Sequence, residues 1–235
     1  MNVSAVLDDL LAEHAALDAV VADLSPAQWQ LPTPSPRWTV ADQIGHLTYF
    51  DRTARLAIVD PDAFAEHKAT EFPRYADPLD GDAMTLGEFR RLTPPEQLAT
   101  WRDARAGLAD AAGRLNDGDR IEWYGPSMSA RSFLTARLME TWAHGQDVVD
   151  TISAATGADP HVLRPDTDRL RHVAQLGVIT RSWSYVVRGE QPRTEPVRIE
   201  LTAPSGDTWQ WTSGDGEPGA APTDSITGAA GDVCR

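Results

Sequence analysis

The sequence predicts a mainly α protein: a four-helix bundle over residues 1–157, then a small α/β domain, a helix plus a β-hairpin, over residues 158–235. Three observations predict it. Four long segments repeat apolar residues three and four apart, between helix start and stop signals. A long connector joins the second to the third, as the crossover of a bundle does. Past Pro160 the period shortens to the alternation of strands.

The first helix carries Leu7, Leu10, His14, Leu17, Val21 and Leu24 on one stripe, with Asp8, Asp9, Asp18 and Asp23 largely off it; Ser25-Pro26 ends it. The second begins at Thr39, an N-cap answered by Asp42, and stops near Val59, before Pro61. Ile44, Leu47 and Phe50 mark its buried side, and His46 lies among them. From Asp60 to Leu92 the pattern weakens: one or two short helices are expected near 61–68 and 86–92, and an excursion this long is expected to cover something. The third helix starts at Thr93-Pro-Pro-Glu96, a capping box with proline in the first turn, and its stripe runs Leu98, Trp101, Leu108, Ala112, Leu115. "WYGPSMS" leads into the fourth, which Gly157 and Pro160 close. "DTDRLRHVAQLGVITRSWSYVVRG" reads as one fifth helix. "PVRIELTAPSGDTWQWT" alternates at Val197, Ile199 and Leu201, turns, and resumes with Trp209 and Trp211, a hairpin. The Gly-, Ala- and Pro-rich end is too irregular to complete a sheet and is expected to be partly mobile.

A hydrophobic content of 41% with eight Trp specifies a globular chain. The formal charge of −14 opposes nucleic acid and anionic membrane as partners. Cys234 is the only cysteine, so no intramolecular disulfide forms, which fits a reducing compartment. The acidic N-terminus has no signal-peptide pattern, and no apolar run is long enough to span a membrane. The expected location is the cytoplasm.

The chemistry concentrates in "RLMETWAHGQDVVD". Glu140, His144 and Asp147 are four and three apart, which stacks them on one helix face. A carboxylate and an imidazole at i and i+4 present two ligands to one ion, and His46 on a neighbouring helix supplies a third. Two His and one carboxylate form a catalytic zinc set with an open position; the same donors hold ferrous iron. Asp147 is either an acceptor orienting an imidazole or a fourth ligand. Plainer readings stand beside these. Glu140 would pair with Arg137, Asp147 would face solvent, and His46 would be a core histidine donating to a carbonyl. His14 is expected to be a satisfied core histidine. Trp38, Trp123, Tyr124 and Trp142 would line a pocket or simply fill the core. There is no nucleophile elbow, dinucleotide loop or Walker loop, and no cysteine in the bundle, so thiol chemistry would need a thiol from outside.

"WTVADQIGHLTYFD" followed by "ARLMETWAHGQDVVD" resembles the mycothiol-dependent maleylpyruvate isomerase-like group of the DinB superfamily, over about residues 1–157. The resemblance implies a DinB-like bundle and a divalent metal, usually zinc, held by His46, Glu140 and His144. It also implies a low-molecular-weight, mycothiol-like thiol as cosubstrate, whose thiolate attacks a small electrophilic substrate; isomerases add, rotate and eliminate, and transferases stop at the adduct. Asp147 would tune a ligand or shuttle a proton. The helix and hairpin past Pro160 resemble the second domain of such proteins. That domain normally continues through further strand and helix after a segment like "SITG", so it reads as shortened here. Two other functions compete: a non-catalytic metal-binding or ligand-sensing module, which would close its site with Asp147, and a metal-free homodimerisation bundle.

Overall fold

Each long helix of the computed structural model begins on a side chain that satisfies its first free N–H groups. The structure describes residues 2–71, 73–74, 77–214, 222 and 224–235, which fall into two units, Met1–Arg164 and Pro165–Arg235. In the first unit Asn2 caps α1 (Val3–Val21) and Ser25 caps the single turn α2 (Pro26–Trp29). Thr39 and Asp42 form the capping box of α3 (Val40–Val59). The excursion holds α4 (Pro61–Glu71), α5 (Pro78–Leu86) and a 3₁₀ turn at Phe89–Arg91. Thr93 and Glu96 box α6 (Pro94–Ala112), and a short ladder of β1 (Arg120–Ile121) with β2 (Met128–Ser129) delivers the chain to α7 (Ala130–Thr156). Gly157 ends α7 at φ 75°, a left-handed position natural to glycine. The turn α8 (Pro160–Leu163) completes the unit.

α3 packs on α6 and α7, and α1 on α7 and α6, so the four long helices close a ring. Leu17, Val21, Ile44, Leu47, Trp101, Val148 and Ile152 meet in its core. Each such side chain contributes about 1.5–3 kcal/mol by leaving water. The second helix of the excursion lies earlier than expected, at Pro78–Leu86. Asp77 accepts from the backbone N–H of Leu79 and Asp80, and Pro78 takes the first turn, a start signal stronger than the apolar pattern that follows it.

His14 is buried, as its stripe position implies, but it is not satisfied: neither ring nitrogen has a hydrogen-bond partner, and Nε2 lies 3.6 Å from Asp51. Burial pushes its pKa from 6.5 down to about 4, against the attraction of Asp51. The unfolded chain therefore takes up this proton near 6.5 and the folded chain only near 4. Stability present above pH 6.5 is lost as pH falls towards 4, by up to about 3 kcal/mol from this group. His14→Leu should flatten the dependence of urea-unfolding free energy on pH across that window.

The second unit contains α9 (Leu170–Ile179), α10 (Arg181–Val186), β3 (Val197–Thr202), β4 (Thr208–Ser213), β5 (Asp224–Ala229) and α11 (Ala230–Cys234). The hairpin forms as expected, with Val197, Ile199 and Leu201 buried. Two expectations are corrected. The fifth helix breaks at Thr180, where Val178, Ile179 and Thr180 form a β-branched run and the Thr180 hydroxyl donates to the Leu176 carbonyl. The chain end does complete a sheet: β5 pairs parallel with β3, giving the order β4-β3-β5. Every residue of β5 is exposed, so backbone pairing and not apolar alternation defines it. Of the stretch expected to be partly mobile, residues 215–221 and 223 lie outside the described residues. No helix among the described residues is long and apolar enough to cross a membrane.

Candidate metal centre

α3 and α7 pack side by side, and their facing stripes bring His46, Glu140 and His144 together. One ligand atom from each lies within 4.8 Å of the others, the only such group of three among the described residues. Glu140 Oε2 is 3.3 Å from both His46 Nε2 and His144 Nε2. An ion about 2.0–2.1 Å from tetrahedrally disposed donors holds those donors about 3.3–3.4 Å apart. The trio has the spacing of a ligand set.

Hydrogen bonding sets how the trio presents its ligand atoms. Gln43, fully buried one turn before His46, donates through Nε2 to Asp147 Oδ2 at 2.8 Å and to Thr33 Oγ1 at 2.9 Å. A carboxylate only accepts, so the amide orientation is fixed and Gln43 Oε1 must be the acceptor turned towards His144. His144 Nδ1 is 2.6 Å from that oxygen and therefore carries the proton. In the neutral ring, Nε2 then presents a lone pair to the Glu140 carboxylate. Two acceptors at 3.3 Å are brought together by a cation, either a proton on Nε2 or a bound metal ion.

The electrostatics agree with this arrangement. Burial pushes His46 down to about 4, against the hydrogen bond to Glu140, so its ring is neutral at pH 7. Burial alone would raise Glu140, but the adjacent His144 and His46 rings and the charge of Arg137 outweigh it and hold the carboxyl well below its usual range. The trio thus offers two lone pairs and a carboxylate.

Asp147 lies beside this group and outside it. Its Oδ2 accepts from Gln43 and, at 2.6 Å, from the hydroxyl of Ser35, and it reaches His144 only through the Gln43 amide. Gln43 is the residue that sequence reasoning missed; its one signal was a polar side chain three positions before His46, on the same face. The rest of the "HGQD" stretch is structural. Arg164 passes so close to Gly145 that a Cβ there would collide with its guanidinium. Arg164 donates to Gln146 Oε1 and the Trp142 carbonyl, each at 3.0 Å, and to Glu13 at 3.2 Å.

The excursion between α3 and α6 buttresses the site, as its length suggested. Asp82 of α5 accepts from Trp38 Nε1 at 3.1 Å, and the Trp38 ring stacks on His144 at 5.7 Å. Phe64 of α4 stacks on Trp123 at 5.4 Å. Trp123, in the β1–β2 loop, lines a cavity that His46 and Glu140 also line. Trp142 is core.

A family model described as the mycothiol maleylpyruvate isomerase N-terminal domain matches residues 10–149. The chain belongs to the mycothiol-dependent maleylpyruvate isomerase family. The family match contains His46, Glu140, His144, Gln43 and Asp147. An uncharacterized protein of Mycobacterium tuberculosis, found in two strains, is 44% identical over 226 residues, 96% of this chain and 81% of its own length. Crystal structures of mycothiol-dependent maleylpyruvate isomerase and of a histidine-to-alanine mutant align with TM-scores of 0.58 and 0.60. Identity is 16%, over 100% of this chain and 88% of theirs. The shared fold is a DinB-like bundle followed by a small β-containing subdomain.

Proposed function

We propose that this protein is a divalent-metal-dependent enzyme that activates a low-molecular-weight, mycothiol-like thiol for isomerisation of, or transfer to, a small electrophilic substrate. The observation that carries the reading is the lone pair of His144 Nε2 set against the Glu140 carboxylate, with His46 Nε2 completing the triangle. His46, Glu140 and His144 would hold the ion, and two imidazoles with one carboxylate suit zinc. When bound, the ion supplies Lewis acidity that lowers the pKa of a thiol entering its open position.

The chain's own residues do the rest. Asp147 and Ser35 fix the Gln43 amide, and Gln43 fixes the His144 tautomer. Trp38 covers the two imidazoles, with ring centroids 4.9 Å from His46 and 5.7 Å from His144. Asp147, engaged elsewhere, leaves a coordination position open, and the cavity at His46 and Glu140 gives a substrate a place to meet the thiol. Burial pushes the Cys234 thiol up to about 11, which favours a thiol supplied from outside. In the isomerisation the thiol loses its proton, its sulfur bonds to one alkene carbon, and the π pair moves into the conjugated acceptor. Rotation about the new single bond and expulsion of the thiolate then return the alkene with inverted geometry.

The test is zinc-loaded protein with mycothiol and conjugated electrophiles, following free thiol and cis–trans conversion. Thiol-dependent turnover that Glu140→Gln abolishes is expected. A protein that holds its metal and turns over none of them would instead be a metal-binding module. Gln43→Leu keeps the volume and removes the tautomer control. It should weaken metal binding about 10- to 100-fold in competition with a chromogenic chelator.

A further inference from the structure

In the second unit α9 and the sheet do not close completely on one another, and a cavity of about 310 Å3 lies between them. Its floor is the buried face of β3, Val197, Ile199 and Leu201, with Ala174 of α9 opposite. Ile226 and Val233 line it from exposed positions at the rim. Gly177 of α9 also lines it, and a Cβ there would meet nothing within 4 Å. Protein cores leave few voids larger than one water. This one has the volume of about ten waters, and its apolar walls give them few partners. It falls within the range of small-molecule sites, about 300–1,000 Å3.

The polar part of the lining has one group with donors to spare. Ser184 and Ser213 spend their hydroxyl protons on the carbonyls of Arg181 and Val178, at 2.7 and 3.1 Å. Cys234 Sγ lies 3.9 Å from the Leu170 carbonyl. Arg181 gives Nη1 to the carbonyls of Glu195 and Ser213, at 3.2 and 3.4 Å, and its Nε and Nη2 bond to nothing among the described residues. Glu195 and Asp224 share a neighbouring cavity with Arg181 and Arg193, but both lie exposed and neither forms an ion pair with Arg181. Water screens such exposed carboxylates. The Nε–Nη2 edge of a guanidinium is a two-pronged donor that a carboxylate matches.

We propose that this cavity binds a single-tailed carboxylate, a medium-chain fatty acid, with its tail against β3 and its head on the Nε–Nη2 edge of Arg181. A dry cavity of about 150 Å3 takes the six carbons of benzene, so this one takes a tail of up to about twelve. The tail would also cover Ile226 and Val233 at the rim. The site lies wholly within the second unit and does not depend on the reading of the metal centre.

The test titrates octanoate, 1-octanol and butanoate calorimetrically into the full chain. Octanoate should saturate at about one equivalent per chain. 1-Octanol, of the same length without the charge, should bind at least ten-fold weaker. Butanoate should bind at least about 50-fold weaker, since each methylene withdrawn costs about four-fold. Arg181→Gln should bring octanoate down to the level of 1-octanol and leave 1-octanol itself unchanged. Gly177→Leu fills the cavity and should weaken octanoate at least ten-fold, while leucine favours the helix more than glycine does. Trp211 Nε1 donates to Gln175 of α9 at 2.6 Å, so a persisting Trp211 indole N–H resonance shows that α9 still lies on the sheet. Gly177→Ala is the smaller step should that resonance be lost, and should weaken octanoate by a lesser factor. No saturable octanoate binding, 1-octanol binding as tight as octanoate, or octanoate binding indifferent to both Gly177 substitutions would each overturn the proposal.

Discussion

His144→Ala should abolish stoichiometric metal binding and leave the bundle folded. His144 is half-buried at the surface of α7 that faces α3, and the core residues Leu138, Trp142 and Val149 lie on other faces of the helix. Its loss takes one of three donors and exposes Gln43 Oε1 without a partner, a cost of about 1–3 kcal/mol that a folded bundle of this size absorbs. Metal loss should therefore appear without loss of helical signal or of cooperative unfolding. Asp147→Ala should be milder, because Asp147 acts on His144 through Gln43 and Thr33 still accepts from the amide. Stoichiometric metal in the His144→Ala protein would overturn the ligand assignment.

Asp51→Ala should be the most destabilising single change in the bundle. Asp51 is fully buried and pairs with Arg137, whose side chain is almost as deeply buried, and its second oxygen faces His14. Removing the carboxylate leaves a guanidinium in the core with no countercharge, a loss of about 3–5 kcal/mol. Urea titration at pH 7 measures it. The double variant Asp51→Leu with Arg137→Met should recover most of that loss, because the cost lies in the uncompensated charge and not in the absence of the pair. A single variant within about 1 kcal/mol of the parent would mean that water reaches Arg137, contrary to its burial.

The long helices were legible because their apolar stripes and caps are local signals. Thr39 with Asp42 and Thr93 with Glu96 each form the capping box their spacing foretold. The trio was legible for the same reason: Glu140 and His144 share a face by helical period alone, and His46 sits on an apolar stripe that has to meet another helix. What the sequence hid was long-range. Gln43 and His144 are 101 positions apart, and nothing near either residue marks a glutamine as the group that sets a tautomer. Arg137 and Asp51 are separated by 86 positions, and nothing near either residue marks their pairing. β5 escaped because Asp-Ser-Ile-Thr-Gly-Ala has no alternation; its pairing with β3 is a property of the backbone. The break at Thr180 escaped because an apolar stripe continues through it while a hydroxyl competes for the helix carbonyls.

The central claim is that His46, Glu140 and His144 hold one divalent ion. The most direct measurement is elemental mass spectrometry on protein purified without affinity-tag metal or chelator, followed by zinc titration of any metal-free fraction. The account predicts about one equivalent of a single divalent metal per chain, lost in His144→Ala. Protein that arrives without metal and takes up none on titration would contradict it.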